Sequence, residues 1–145
     1  MIKGTVMLVE DSEDDMALMD HAIKAAGVDN PMIELRNGVE AIEYLSGSGE
    51  YGNRQRHPIP CLVITDLSMP KMDGFDLLKW MAGQPELKSI PRIVVSSSTL
   101  QQDRERAVDL GACAYFQKPL EIKELIELVR HLDANWIAQH CHKPN

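Results

Sequence analysis

A doubly wound α/β domain with a five-stranded parallel sheet is predicted by three observations. Short β-branched runs alternate with helical patterns along the whole chain, the central runs carry almost no polar alternation, and the helical stretches have legible caps and stops. Alternation of this kind places helices on both faces of a parallel sheet, with right-handed crossovers and a ligand site at the carboxyl ends of the strands.

The first strand is read in TVMLVE, residues 5–10. Ser12 then caps a helix with Asp15 in its first turn, and Met16, Met19, Ile23 and Ala26 keep helical spacing until Gly27. In MIELRN, residues 32–37, Ile33 and Leu35 alternate with Glu34 and Arg36, as on an edge strand, and Asn37 caps the second helix. Residues 46–60, SGSGEYGNRQRHPIP, make a connector longer than usual and are read as mobile.

CLVITD, residues 61–66, is a buried strand that ends on Asp66; Pro70 and Gly74 prevent its continuation. Asp73 caps the third helix, whose apolar stripe is Phe75, Leu78 and Met81, with Trp80 on its flank. RIVVS (92–96) and AYFQ (114–117) supply the fourth and fifth strands. After Pro119, Ile122, Leu125, Ile126, Val129 and Leu132 form one helical stripe, and residues 133–145 extend that helix into a tail. No internal repeat or second domain is evident, so residues 1–145 are expected to form one domain.

Composition narrows the function. A formal charge of -7 and a pI near 5.2, with scattered basic residues, argue against a nucleic-acid partner. The early apolar run is far too short for a signal core or a membrane span, so a cytoplasmic location and no membrane partner are expected. Cys61, Cys113 and Cys141 lack metal-ligand spacing; the first two are read as buried, inert thiols. His140, Cys141 and His142 are consecutive and cannot share one helix face, which argues against a metal site there.

The polar residues at the strand ends carry the chemistry. Glu10 and Asp11 end the first strand, Asp66 the third and Ser96 the fourth, and Lys118 follows the fifth. Either Asp11 or Ser12 alone would be read as a helix cap, Lys118 alone as a surface lysine, and Ser96 alone as a turn residue. Together they place three carboxylates, a hydroxyl and an ammonium on one rim. Crowded carboxylates raise one another's pKa unless a hard cation neutralises them, and Mg²⁺ is the natural candidate. Asp66 is then the nucleophile of a phosphoryl transfer, with Lys118 and Ser96 holding the equatorial oxygens.

VEDSEDD, DLSMPKMDG, VVSSS and YFQKP, with their intervals, resemble the receiver domain of bacterial response regulators over roughly residues 4–132. The resemblance implies the flavodoxin-like strand order 2-1-3-4-5. It implies phosphorylation of Asp66 by a sensor histidine kinase, and Mg²⁺ held by Glu10, Asp11, Asp66 and the backbone carbonyl of Ser68. It further implies a Lys118 contact to the phosphoryl group, a switch through Ser96 and Tyr115, and a cis bond between Lys118 and Pro119. Glu10 and Ser96 stand where the family more often has aspartate and threonine, while Ser68 and Ser98 occupy positions that tune acyl-phosphate lifetime.

The long connector and tail are similar to those of small regulators associated with bacteriophytochrome-type kinases. That likeness implies such a kinase as phosphodonor and a homodimer through the fourth and fifth helices, to which Trp136 and Ile137 add apolar surface. Two alternatives stand beside this reading. A haloacid-dehalogenase-type phosphatase would need a second aspartate where Ser68 stands and an acidic pair after the lysine. A phosphate-independent pseudo-receiver module would be expected to lack a member of the constellation.

Overall fold

The structure, a computed structural model, describes residues 4–25, 29–69, 71–118 and 123. Five strands, β1 (Val6–Val9), β2 (Met32–Leu35), β3 (Leu62–Thr65), β4 (Arg92–Ser96) and β5 (Ala114–Gln117), form one parallel sheet in the order β2-β1-β3-β4-β5. Among the described residues four α-helices alternate with them: α1 (Glu13–Ala25), α2 (Gly38–Ser46), α3 (Gly74–Ala82) and α4 (Gln101–Asp109). The fold class and strand order are those the sequence predicts; β1, β2 and β3 are shorter than predicted by one or two residues at an end, and β4 and β5 have the predicted bounds.

The apolar runs lack polar alternation because both faces of the sheet are covered. Successive side chains on a strand point to opposite faces. Val6 and Leu8 of β1, Leu62 and Ile64 of β3, and Ile93 and Val95 of β4 therefore pack with Met16, Met19, Ala22 and Ile23 of α1. Met7, Val9 and Val63 face the other way, against Ala41, Tyr44 and Leu45 of α2 and Leu77 and Met81 of α3. Val94 meets Phe75, Leu78 and Ala107, which joins α3 to α4. Burying aliphatic side chains on two faces contributes about 1.5–3 kcal/mol apiece before conformational entropy is subtracted.

The caps act as expected. Ser12 Oγ accepts from the Asp15 N–H at 3.2 Å, Asn37 Oδ1 from Glu40 at 3.0 Å, and Asp73 Oδ1 from Asp76 at 2.9 Å. Trp80 is partly buried against the core beneath α3.

The connector at 46–60 differs from expectation. It contains a 3-10 helix at Gly49–Gly52 and is pinned by its own side chains. The Arg54 guanidinium donates to the Tyr44 and Leu45 carbonyls, both at 2.8 Å, and so satisfies the carbonyl end of α2. Tyr51 packs against Tyr44 and His57 at centroid separations of 5.0 and 5.1 Å, and the Tyr44 hydroxyl donates to Pro58 O at 2.9 Å. The length that suggested mobility instead accommodates a capped turn.

Cys61 is free and half-buried, its thiol donating to Thr5 O, whereas Cys113 forms a disulfide and is not the inert thiol expected. The helix predicted after Pro119, the Lys118–Pro119 peptide bond, the tail at 133–145, Trp136, Ile137 and the His140–His142 run lie outside the described residues.

Candidate functional site

The four strand ends converge because the strands run parallel and in register. Val9 of β1 lies beside Thr65 of β3, and Thr65 beside Val94 of β4, so Glu10, Asp66 and the end of β4 emerge on one rim. Backbone bonds lock this edge: Glu10 N–H donates to Leu35 O at 2.9 Å, Asp66 N–H to Val9 O at 3.0 Å, and Lys118 N–H to Ser96 O at 2.7 Å.

One carboxylate oxygen from each of Glu10, Asp11 and Asp66 lies within 4.8 Å of the others, with Glu10 and Asp66 buried and Asp11 exposed. Asp66 is held by its Oδ1, which accepts the Leu67 N–H at 2.7 Å and the Ser68 N–H at 3.4 Å. Its Oδ2 is turned to Lys118. The loop carrying these N–H groups needs Gly74: a Cβ there would overlap the Asp66 carbonyl oxygen and lie 2.9 Å from Leu67 Cα.

Lys118 is the hub. Its ammonium donates to Glu10 Oε2 at 2.7 Å, Asp15 Oδ2 at 2.9 Å and Asp66 Oδ2 at 3.1 Å. Burial by itself would lower its pKa, but the bonds to Glu10 and Asp15 and the charges of Asp66 and Glu10 together hold it above the ordinary lysine value. Glu10 is pushed up to about 7, chiefly by burial and further by the Asp66 charge, against the opposing pull of Lys118 and the Ser12 N–H.

Ser96 is fully buried at the end of β4, its Oγ accepting the Ser98 N–H at 3.2 Å. Tyr115 on β5 is half-buried, and its hydroxyl donates to Ser98 O at 3.1 Å. The Ser98 hydroxyl in turn donates to Asp103 Oδ2 at 2.6 Å, and Arg104 lies over the Tyr115 ring, 5.2 Å from its centroid. One loop, residues 97–100, therefore links the Ser96 position to α4 and Tyr115.

Glu10, Asp11, Asp66, Ser96 and Lys118 stand at this rim and Ser68 in the loop after β3, whereas Tyr115 lies within β5, beside Val94 of β4. Sequence reading missed Asp15 as a partner of Lys118 and the Asp103–Ser98 and Arg104–Tyr115 contacts. Asp15 stands one helical turn beyond Asp11, which was the available signal; the other contacts depend on the β4–α4 loop path and leave none. The donor set suits Mg²⁺, which prefers oxygen ligands and keeps several waters: two buried carboxylates and one exposed to solvent.

Residues 6–130 match the family model of the response regulator receiver domain. The chain belongs to that family. Response regulator Rcp1 of Synechocystis sp. is 33% identical over 132 residues, 91% of this chain and 88% of Rcp1. The Mn²⁺-bound structure of Rcp1 matches with a TM-score of 0.78 at 31% identity, over 97% of this chain and 99% of that one. The phosphorylated cyanobacterial phytochrome response regulator RcpA matches with a TM-score of 0.81 at 32% identity, over 93% and 94% of the two chains. The bacteriophytochrome response regulator AtBRR matches at 0.74 and 33%, over 87% and 89%.

The similarity thus lies with phytochrome-associated response regulators, as the subgroup resemblance implied. Receivers of this family are phosphoacceptor modules of two-component signalling rather than conventional enzymes, and they take the phosphoryl group from histidine kinases. The phosphatase and pseudo-receiver alternatives are not favoured.

Proposed function

We propose that Asp66 accepts the phosphoryl group and that its arrival resets a partner-binding surface on α4 and β5. The observation that carries this reading is the anchoring of Asp66. Two backbone N–H groups hold Oδ1 while Oδ2 faces the half-buried Lys118, so the carboxylate is oriented before any donor arrives.

The Asp66 carboxylate attacks phosphorus of a phosphohistidine; the P–N bond breaks, an acyl phosphate forms, and the imidazole leaves with the bond's electron pair. Lys118 turns its N–H groups to the transferring oxygens, and the Ser96 hydroxyl donates to one of them. Glu10, Asp11, Asp66 and the Ser68 carbonyl would hold Mg²⁺, which supplies charge neutralisation for the phosphoryl oxygens when bound. The Mn²⁺ in Rcp1 supports a divalent cation in this role. The same residues support self-phosphorylation from small phosphodonors and self-dephosphorylation.

Movement of Ser96 toward the phosphate would pull on residues 97–100 and so on Tyr115, whose hydroxyl is tied to Ser98 O. Leu100, the residue that precedes α4, and Val108 within it are each 53% exposed and support a homodimer or partner contact there. The likeness to AtBRR supports a bacteriophytochrome as phosphodonor. None of the described helices is long and apolar enough to cross a membrane, which is consistent with a cytoplasmic location. One sheet with its covering helices supports reading residues 1–145 as a single receiver domain.

The test is intact mass after incubation with acetyl phosphate and Mg²⁺, for wild type and Asp66→Asn. A Mg²⁺-dependent phosphoryl adduct confined to wild type is expected. No adduct on a folded wild-type chain, beside a working control receiver, would sink the reading.

A further inference from the structure

The rim carries its own counter-cation. An ammonium has three N–H donors, and those of Lys118 are all committed, to Glu10 at 2.7 Å, Asp15 at 2.9 Å and Asp66 at 3.1 Å. Glu10 and Asp66 belong to the carboxylate set that converges within 4.8 Å; Asp15 does not. It reaches Lys118 from the first turn of α1 with its side chain 41% exposed, against 9% for Glu10 and 8% for Asp66. A divalent cation arriving at Glu10 and Asp66 therefore meets a positive charge already seated on two of its ligands. Two cations crowded into a partly desolvated pocket repel strongly, so the ammonium has to yield.

We propose that Asp15 is a positioning residue for Lys118. It gives the ammonium an anionic partner outside the metal set, so that Lys118 releases Glu10 and Asp66 to Mg²⁺ yet stays within reach of the transferred phosphoryl group. The inference rests on the Mg²⁺ site proposed above and deepens it. Without Asp15, the lysine has no anionic partner except the metal's own ligands, so it stays on Glu10 and Asp66 and weakens Mg²⁺ binding. A purely structural Asp15, serving as an acidic residue in the first turn of α1, would act independently of Lys118.

The distinction is read by titrating MgCl₂ calorimetrically into the unphosphorylated full chain. The variants are Asp15→Asn, Asp15→Glu, Lys118→Met and the Asp15→Asn/Lys118→Met double variant, each checked for folding by urea denaturation. Asp15→Asn is expected to weaken Mg²⁺ about three- to tenfold, Asp15→Glu to stay within about twofold of wild type, and Asp15→Asn to change affinity by less than about twofold once Lys118 is already methionine. An equal loss with and without Lys118 would show that Asp15 acts only as a nearby negative charge, and an unchanged affinity in Asp15→Asn would also overturn the proposal. Absence of Mg²⁺ binding by the wild type would remove the metal site and the role of Asp15 together. Binding that is merely insensitive to Asp15 would leave the metal site standing.

Discussion

Two cations lie at opposite ends of this sheet, Lys118 half-buried and Arg92 buried, and their surroundings are opposite. Lys118, beyond the carboxyl end of β5, is enclosed by three carboxylates and held above its ordinary pKa. Arg92, the first residue of β4, is only 3% exposed, and no carboxylate among the described residues pairs with it. Its Nε and Nη2 reach Gly111 O at 3.4 Å and Nη2 reaches Lys88 O at 3.4 Å, the long end of hydrogen-bond range, while Nη1 has no partner among the described residues. Burial pushes this guanidinium below its usual value. A buried charge is tolerated when paired and costly when not. Anions are thus concentrated where a phosphoryl group is to be handled, and a more deeply buried cation at the other end has only carbonyl dipoles among the described residues.

Breaking the paired end has the largest expected effect. In EDTA, Lys118→Met should lower unfolding stability by about 3 kcal/mol, because it strands close carboxylates without a cation. Saturating Mg²⁺ should restore much of that loss, read as urea midpoints with and without the metal. A metal-free Lys118→Met chain as stable as wild type would show that solvent already screens the rim. Gly74→Ala acts on the same end through sterics. Its Cβ has no room against the Asp66 carbonyl and Leu67 Cα, so about 2–3 kcal/mol and a displaced Asp66 loop are expected, the latter visible as weakened Mg²⁺ binding. Full Mg²⁺ affinity in a folded Gly74→Ala chain would show that the loop shifts without disturbing the site.

The two ends also differ in how much of them could be read beforehand. The fold was legible because β1, β3 and β4 are covered on both faces and so print as unbroken apolar runs, and because Ser12, Asn37 and Asp73 mark helix starts with side chains suited to nothing else nearby. The rim was legible because its members fall at strand ends, positions that topology gathers whatever the loops do. Arg92 gave no such signal: inside RIVVS it reads as the charged lead-in to a strand, and its burial depends on Gly111 and Lys88, whose positions follow from turn geometry. The connector misled for a related reason. Its order comes from Arg54 reaching back to the carbonyls of α2, a long-range bond that composition does not record.

A pH series sharpens the comparison at an intermediate scale. In the metal-free fold Glu10 titrates near 7, against 4.5 as its ordinary value. Between those pH values the folded chain keeps a proton that the unfolded chain has lost, so stability should fall as pH rises through this window, at up to about 1.4 kcal/mol per pH unit. Lys118, raised above its ordinary value, stays charged in both states there and contributes no slope. Urea midpoints in EDTA at pH 5 and 7.5 should differ for wild type, and Glu10→Gln should remove most of that difference. An unchanged slope in Glu10→Gln would assign it to other groups.

The smallest expected effect belongs to the unpaired end, and its sign is the informative part. Arg92→Met removes an uncompensated charge and an orphaned donor while keeping an unbranched chain of similar reach. Replacing a poorly satisfied buried ion with apolar volume is often neutral or favourable, so a change between zero and about 1 kcal/mol of stabilisation is expected, with no dependence on Mg²⁺. A loss beyond about 2 kcal/mol would mean that the long bonds to Gly111 O and Lys88 O hold the turn between α4 and β5, making Arg92 a structural clamp. Gly111 supports treating that turn as built around the guanidinium: its φ is +108°, and a Cβ there would lie 2.7 Å from Arg92 Nη2. The backbone has therefore been shaped to admit a charge it does not neutralise, whereas at the other end of the sheet the neutralising groups are supplied and the backbone only aims them.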